Sequence, residues 1–304
     1  MRKLTHFPAV LGISVLSIGV TACSIDVRGE GVVTREEKRF DVSGQAELSL
    51  RTFDGSIQLK SWDKNEVLVE IERHGPDQKA AESLTVNTRQ EGNRIIVEAP
   101  SPRDQRDGIH IGSFQSPSVS LIVTAPRKVS VNARTGDGAI EAADLAGTVE
   151  LNSGDGSIRA RRIEGSLRAH TGDGSISITE AAGRVDADSG DGSVELTGRF
   201  DAIDVRTGDG SVRLDVLDGS ALKSDSSVNT GDGSITLRLP ANFDADLDAH
   251  TGDGGVHADG LSVQAERDPE NRDRKEKDSL RAQLGKGGRT LRLNSGDGSI
   301  NISR

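Results

Sequence analysis

The stretch from Thr135 to Leu214 decides the fold, because the phrase Thr135-Gly136-Asp137-Gly138-Ala139-Ile140 returns in it every eighteen residues. Further copies begin at Ser153, Thr171, Ser189 and Thr207, and looser copies begin at Thr52, Thr230, Thr251 and Ser295. A fixed short period is typical of a solenoid, in which successive coils of one chain stack on each other.

A nine-residue subunit underlies this period. Steps of nine residues meet only apolar side chains, namely Ile140, Val149, Ile158, Leu167, Ile176, Val185, Val194, Ile203 and Val212. The residues two positions later are also apolar, namely Ala142, Leu151, Ala160, Ala169, Ile178, Ala187, Leu196, Val205 and Leu214. Two positions before each step stands a Gly, except at Asp201. Such alternation predicts a strand with one buried face, so each coil of eighteen residues contains two short strands.

These patterns predict an all-β fold, a single-stranded parallel β-solenoid with coils of about 18 residues and two short strands per coil. A left-handed β-helix built from three hexapeptides would have the same coil length. Steps of six from Ile140 reach Glu164 and His170, which would place a charge in the core. The sequence therefore favours a flattened, two-sided stack over the hexapeptide arrangement.

The amino terminus predicts a lipoprotein. Arg2 and Lys3 precede an apolar run from Ala9 to Val20 that is too short to span a bilayer. The sequence Val20-Thr21-Ala22-Cys23 then resembles a bacterial lipobox, which predicts cleavage after residue 22 and attachment of lipid, including palmitate, at Cys23. The alternative is an ordinary secretory signal with a chance cysteine. Cys23 is the only cysteine in the chain, so no disulfide can form within it.

The residue after Cys23 bears on location. In bacteria with two membranes, Asp at this position commonly retains a lipoprotein at the inner membrane, whereas Ser permits transfer outward. Ser24 therefore favours a lipid anchor in the cell outer membrane, on a face that the sequence leaves open.

We divide the chain into a signal peptide at 1–22, a lipid anchor and linker at 23–39, and a β-solenoid domain at 40–304. Regular repeats cover 135–260, a mobile charged insertion poor in apolar residues covers about 264–288, and a final coil covers 289–304. The segment Asp77 to Ser83 can form one helical turn, and Pro100 to Pro117 is predicted to be an exposed loop. Alternating strands precede the repeats at Ala46 to Arg51, Ser56 to Lys60, Glu66 to Ile71, Leu84 to Thr88, Ile95 to Glu98, Val119 to Thr124 and Val129 to Ala133.

Composition argues against two classes of function. The formal net charge of −10 disfavours nucleic acid, whose binding depends on Lys and Arg replacing counterions. Tyr is absent, Trp62 is the only Trp, and aromatic residues make up 2% of the chain, so the usual aromatic platform for sugars is missing.

The same features resemble a bacterial family of β-strand-repeat lipoproteins named "putative adhesin", whose function is not known. The resemblance rests on the lipobox at Val20 to Cys23, the early strand Asp54-Gly55-Ser56-Ile57 leading to Trp62-Asp63, the strand ending in Ala125-Pro126, and the closing Gly298-Ser299-Ile300. It covers most of residues 40–304. It implies a right-handed β-solenoid located in the cell envelope, and it carries no established catalytic residues.

The conspicuous Asp of each phrase has two interpretations. Asp-Gly is a favoured pair in tight turns, because Asp can bond neighbouring backbone and Gly tolerates positive φ. Alternatively, carboxylates on adjacent coils could hold calcium, since a row of like charges is unfavourable unless water or a cation screens it. The candidate calcium ligands are Asp137, Asp155, Asp173, Asp191 and Asp209, with Asp232, Asp253 and Asp297 in the same row.

Other repeated polar residues are weaker candidates. The Thr and Ser residues at 135, 153, 171, 189 and 207 could present a hydroxyl surface to a ligand, but such residues more often form hydrogen bonds along a turn. His170 and His250 lack a third ligand in register, which argues against a histidine metal site.

Catalysis is not expected. A catalytic site needs groups in unlike environments with divergent pKa values, whereas these carboxylates recur in equivalent ones. We predict a lipid-anchored envelope solenoid that acts as a structural scaffold or adhesion-like binding module, contacts the membrane through Cys23, and has an envelope polysaccharide or protein as its partner. The alternatives are a polysaccharide-active β-helix enzyme and a calcium-binding repeat protein; no other cofactor is expected.

Overall fold

The computed structural model describes residues 20–27, 31–102, 116–261 and 278–304. These residues form an all-β structure with one short helix, α1 (Gln78–Ser83). The strands of the amino-terminal part are β1 (Val20–Val27), β2 (Val32–Asp41), β3 (Ala46–Thr52), β4 (Ile57–Trp62), β5 (Glu66–Gly75), β6 (Asn87–Glu91), β7 (Arg94–Ala99), β8 (Ser118–Pro126), β9 (Lys128–Thr135) and β10 (Ile140–Ala143). The remaining strands are β11 (Ala146–Ser153), β12 (Ile158–Arg161), β13 (Glu164–Thr171), β14 (Ile176–Ser189), β15 (Val194–Thr207), β16 (Val212–Val216), β17 (Ser226–Thr230), β18 (Ile235–Arg238), β19 (Ala245–Thr251), β20 (Val256–Asp259), β21 (Ser279–Leu284), β22 (Thr290–Ser295) and β23 (Ile300–Ser303).

One regular coil consists of a long strand, a corner, a short strand and a tight turn. Strand β11 has 8 residues and strand β12 has 4 residues, with the Ser153-to-Ser157 corner between them. Each pairs in parallel with the strand one period later, as in Val149↔Leu167 and Ile158↔Ile176. The predicted eighteen-residue coil with two strands is therefore present, and its two strands are unequal.

The predicted inward face is confirmed. Every residue of the two apolar series is at most 2% exposed, from Ile140 and Ala142 to Val212 and Leu214. Alternate residues point outward, so the core is a single layer of side chains between a long-strand face and a short-strand face.

Glycines permit the close approach of successive coils. A Cβ added at Gly138 would overlap the carbonyl oxygen of Gly55, and one added at Gly147, where φ is +138°, would overlap that of Val129. Asp201 interrupts the Gly series without a clash because it lies in a bulge, where Gly183 pairs with Phe200 and the next residue of β14 pairs with Ala202.

The order of the coils in space differs from their order in the sequence at both ends. Strand β3 lies between β7 and β9, and β4 lies between β8 and β10. At the other end, β22 lies between β17 and β19, and β23 lies between β18 and β20. The last coil in the sequence is therefore an interior coil of the stack.

Antiparallel strands close the two ends, so the sheet is mixed and not wholly parallel as predicted. Strands β1, β2, β5 and β8 pair antiparallel in that order, and β6 pairs antiparallel with β7. Strand β21 pairs antiparallel with β19. Because β21 begins at Ser279, the charged insertion predicted to reach residue 288 ends earlier; Leu280 and Leu284 are buried and hold this strand on the stack. Residues 262–277 of that insertion lie outside the described residues.

The predicted linker at 23–39 is also corrected, because β1 and β2 occupy most of it. Phe40 is the one buried side chain of β2, so the strand lacks the apolar alternation that would have predicted it. It is held by pairing with β5 from Val32↔Gly75 to Asp41↔Glu66 and by ion pairs such as Arg35 to Glu72 at 2.7 Å. Residues 1–19 of the predicted signal peptide lie outside the described residues.

The remaining predictions for the amino-terminal part hold with small shifts. All seven predicted strands are present, although β6 begins at Asn87 because Leu84 ends helix α1. Asp77 caps this helix by accepting a hydrogen bond from the backbone N–H of Ala80 at 2.8 Å. Of the predicted loop, 103–115 lie outside the described residues. Among the residues described, no helix has the length and apolar character needed to cross a bilayer.

Candidate functional site

The corner hydroxyls are buried and join successive coils. Each donates to the carbonyl oxygen of the second corner glycine of the neighbouring coil, at distances between 2.7 and 2.9 Å. The donor–acceptor pairs are Thr135–Gly55, Ser153–Gly138, Thr171–Gly156, Ser189–Gly174, Thr207–Gly192, Thr230–Gly210, Ser295–Gly233 and Thr251–Gly298. None of the eight Thr and Ser donors is more than 8% exposed. The hydroxyls therefore form hydrogen bonds along the corner, and the alternative of a hydroxyl surface for a ligand is wrong.

The corner carboxylates lie in one exposed row. An ideal Cβ at Gly154 would be 3.6 Å from Oδ1 of Asp137, and one at Gly172 would be 3.3 Å from Oδ1 of Asp155. Each carboxylate therefore lies over the first corner glycine of the next coil. All five calcium candidates, Asp137, Asp155, Asp173, Asp191 and Asp209, are exposed.

The described ranges contain no group of three or more His, Cys, Asp or Glu side chains arranged to hold a metal ion. The row brings one carboxylate from each coil to the surface, and Asp297 takes its place between Asp232 and Asp253 because the last coil is interior. The turn interpretation has direct support at the first corner, where Asp54 Oδ1 accepts from the backbone N–H of Gly55 at 2.8 Å. Calcium binding stays a prediction.

The two histidines are exposed on the long-strand face. Nδ1 of His170 lies 3.4 Å from Oδ2 of Asp188 on the neighbouring coil. Similar pairs between neighbouring coils join Arg134 to Glu150 and Arg168 to Asp186, each at 3.1 Å. The outward side chains of the long strands thus form a network of alternating charge along the stack.

The tight turns form a second charged row. Asp144, Arg162 and Glu180 each adopt positive φ, at 63°, 52° and 55°. Arg162 donates to both carboxylate oxygens of Asp144, with Nη2 to Oδ2 at 2.8 Å. These hydrogen bonds lower the pKa of the Asp144 carboxyl, and the same bonds raise the pKa of the Arg162 guanidinium. This ion pair joins the tight turns of two neighbouring coils, and both of its side chains are partly exposed.

A groove at the amino-terminal end of the stack interrupts the repetition. This N-terminal groove, of about 650 Å³, crosses the first corners and the adjoining long-strand face. Its side chains include Arg51, Phe53, Asn87, Glu98, Pro100 and Asn152. The groove was not predicted from the sequence, although one signal is present: the first corner reads Thr-Phe-Asp-Gly, whereas every later corner reads Thr or Ser followed by Gly-Asp-Gly.

A second, shallower depression of about 400 Å³ lies on the short-strand face. Its lining includes the exposed side chains of Lys60 and Arg161, whose strands lie on either side of the strand that carries Ala143. Arg159 at its edge is 3.5 Å from Glu141. Outward residues on short strands are therefore also charged, but the depression contains no aromatic side chain.

The sequence profile of the family described as Toastrack DUF4097 matches residues 24–303. The chain belongs to the Toastrack DUF4097 family. This match covers nearly all of the described fold, and it confirms the predicted resemblance to a "putative adhesin" family of unknown function. No curated protein matches the chain.

Several solved structures are similar to this Toastrack DUF4097 protein over most of its chain. A "putative cell adhesion protein" from Clostridium sporogenes is 14% identical, with a TM-score of 0.28, over 88% of this chain and 98% of that one. A "putative adhesin" from Bacteroides fragilis is 12% identical, with a TM-score of 0.39, over 88% and 96%. A "putative lipid binding protein" from Parabacteroides distasonis is 15% identical, with a TM-score of 0.46, over 88% and 96%.

Proposed function

We propose that this Toastrack DUF4097 protein is a lipid-anchored, non-catalytic module of the cell envelope that serves as a scaffold or binds a partner in the manner of an adhesin. The corner hydroxyls carry the proposal. They were the most regular candidate groups of the repeat, and all of them donate into the neighbouring coil. The repeat therefore builds a rigid stack, and a partner meets the outward side chains of its faces.

The lipid anchor of the proposal is Cys23. The proposed right-handed winding follows the family resemblance, and the proposed outer-membrane location follows from Ser24. Strand β1 runs from Val20 to Val27 beside β2, so little free chain separates Cys23 from the folded domain. An anchor there holds the amino-terminal end of the stack close to the membrane. Successive coils then extend away from it at about 4.8 Å each.

Two measurements test this proposal. Cells grown with an alkyne-labelled fatty acid are expected to incorporate the label into the full chain and to recover it with the membrane fraction. The Cys23→Ala variant should lose both label and membrane recovery. Label retained by that variant, or wild-type protein recovered free of membranes, would overturn the anchor.

The binding part is tested with the soluble form from Ser24 onward, which retains the second half of β1 and all later strands. We expect it to be retained on isolated cell envelopes and to leave their polysaccharides uncleaved. Release of reducing ends from an acidic envelope polysaccharide would favour the enzyme alternative. Failure to bind envelopes would leave only the scaffold role.

The exposed Asp row favours calcium binding as a second candidate. Calcium between neighbouring carboxylates would stabilise the folded state by mass action. A thermal melt of the soluble form with calcium, and then with chelator, should show a higher midpoint with calcium if the row binds it. Equal midpoints would leave the turn interpretation alone.

A further inference from the structure

We infer that the N-terminal groove is a binding site for a short oligosaccharide, with Phe53 as the surface for a sugar ring and Arg51, Asn87 and Glu98 as its polar partners. The inference rests on the proposed binding function and assigns it a place and a ligand class. It depends on three observations: an exception to the repeat, a set of free polar groups, and the shape of the groove.

The exception is Phe53. In every other corner this position is glycine, at Gly136, Gly154, Gly172, Gly190, Gly208, Gly231, Gly252 and Gly296. Coil stacking thus works without a side chain here, yet the first corner carries the largest apolar side chain of any corner. Phe53 is only partly buried against the core, and it lines the groove. Its ring is therefore available to a ligand.

The polar groups around Phe53 divide into paired and free sets. Arg134 Nη2 and Asn152 Nδ2 both donate to Oε1 of Glu150, at 3.1 and 3.2 Å. By contrast, Arg51 and Glu98 are neighbours on paired strands and are exposed. Within the described ranges neither has an ion pair or a side-chain hydrogen bond.

Asn87, at the start of β6, is also exposed, and its side-chain amide has no hydrogen bond among the described residues. The groove therefore offers unengaged donors from Arg51 and Asn87, and an unengaged acceptor from Glu98. Each vicinal pair of sugar hydroxyls can both donate and accept, so a mixed set of this kind suits a sugar better than a single ion.

The shape of the groove supports the same ligand class. A pyranose ring has an apolar C–H face and a rim of hydroxyls, and the groove places Phe53, Ala99 and Pro100 beside the polar side chains. Its volume of about 650 Å³ lies within the range of about 300–1,000 Å³ for small-ligand sites. A peptide that adds a strand needs an unpaired edge, whereas β3, which leads into Phe53, is paired on both sides. Strand β6 pairs only with β7 among the described strands, but it reaches the groove through Asn87 alone.

The chain provides its own controls for a test. The Phe53→Gly variant restores the phrase used by the later corners, so it should fold. Arg51→Ala removes the free cation. Arg206 lies in the same outward position five coils further along, through the register Arg51↔Arg134↔Asn152↔His170↔Asp188↔Arg206. Arg206→Ala is therefore the matched control.

The experiment is calorimetric titration of the soluble form with tetragalacturonate, an acidic oligosaccharide, and with cellotetraose and maltotetraose, which are neutral. We expect at least one to bind, and Phe53→Gly to weaken that binding about tenfold or more while Arg206→Ala leaves it unchanged. A preference for tetragalacturonate that disappears in Arg51→Ala would identify a bound carboxylate. Equal affinity for all three oligosaccharides would show that the groove contacts the sugar rings and hydroxyls and does not recognise a carboxylate.

Absence of binding to all three oligosaccharides, or binding that survives Phe53→Gly and Arg51→Ala, would overturn the inference. A separate measurement, retention of the protein on isolated cell envelopes, tests the proposed function. If the Phe53→Gly variant is retained as well as wild type, the groove is not the site but the binding function stands. If wild type itself is not retained, the binding function fails whatever the oligosaccharide result.

Discussion

The regular coils and the two ends of this solenoid are held together by different interactions. Between β9 and β16, parallel strands pair one period apart, and a buried corner hydroxyl joins each coil to its neighbour. At the ends, antiparallel strands joined by ion pairs, and coils from distant parts of the sequence, replace the one-period pairing, while corner hydroxyls such as Thr135 and Thr251 still join the coils there. Repeated interactions are visible as a period in the sequence, whereas the end interactions join segments that share no period.

The largest loss of stability is expected from a charged substitution in the core of the regular coils. Ile176 is 1% exposed, and Ile176→Asp would place an unpaired carboxylate in the core. We expect a loss of about 4 kcal/mol or more in the free energy of unfolding. The neighbouring Ser175 is exposed, so Ser175→Asp should cost less than about 0.5 kcal/mol. Urea unfolding measures both, and similar midpoints would mean that the inward face is wrongly assigned.

The order of coils at the carboxyl-terminal end gives the next largest effect. Asn229 and Asn294 are paired across β17 and β22, with Nδ2 to Oδ1 at 2.8 Å. In a protein with Cys23→Ser, the pair Asn229→Cys and Asn294→Cys should oxidise to a disulfide. Closing this 65-residue separation would stabilise the fold by up to about 4 kcal/mol.

The matched control is Asn229→Cys with His250→Cys. These residues would be adjacent if the coils followed the sequence, but β22 lies between their strands. Their separation of about 9.6 Å, two strand spacings, is too long for a disulfide. Mass spectrometry after oxidation reports the cross-link. A disulfide in the control and none in the first pair would show a sequential order.

These ends show where prediction from sequence stops. The buried series from Ile140 to Leu214 was predictable residue by residue, because each coil repeats the same environment. The position of β22 was not predictable. Its alternating pattern is compatible with any coil, and its neighbours, β17 and β19, are determined only in the complete stack. Strand β2 was missed because backbone pairing and ion pairs hold it, and neither leaves an apolar alternation. The groove was not predicted because Phe53 is a single departure from the repeat, and a search for periodic residues finds the regular Asp residues instead.

A smaller effect is expected from a single corner hydroxyl. Thr171 is 0% exposed, and its Oγ1 donates to the carbonyl oxygens of Gly156 at 2.9 Å and Gly154 at 3.2 Å. Thr171→Val keeps the shape but removes the hydroxyl donor from the buried Gly156 carbonyl, at a cost of about 1–2 kcal/mol. The Gly154 carbonyl keeps its hydrogen bond from the backbone N–H of Gly172. Thr179→Val, at a partly exposed outward position, is the control and should be nearly neutral. If Thr171→Val and Thr179→Val shift the urea midpoint equally, the corner hydroxyl contributes no more to stability than an outward hydroxyl does.

The smallest effect concerns the ion pairs of the amino-terminal end. Burial alone would raise the pKa of Glu36, but hydrogen bonds from Arg73 and Lys38 outweigh it and lower that pKa from its usual value. Glu36 Oε2 lies 2.6 Å from Nη2 of Arg73, and Oε1 lies 3.2 Å from Nζ of Lys38. A carboxyl whose pKa is lowered by folding stabilises the folded state above its unfolded pKa, and this contribution is lost as pH falls through the folded value.

Arg73→Gln removes the strongest partner, so the variant should lose less stability than wild type when the pH is lowered from 6 to 3. Because the Glu36 side chain is 24% exposed, solvent screens its ion pairs in part, and the difference between the two proteins should be less than about 1 kcal/mol. Urea unfolding at both pH values measures it. Arg168→Gln, which breaks a pair in the regular coils, should leave the hydroxyl-linked stack intact and serves as the control. A larger change in acid sensitivity for Arg168→Gln than for Arg73→Gln would mean that ion pairs matter more in the middle of the solenoid than at its end, which is the reverse of the division proposed above.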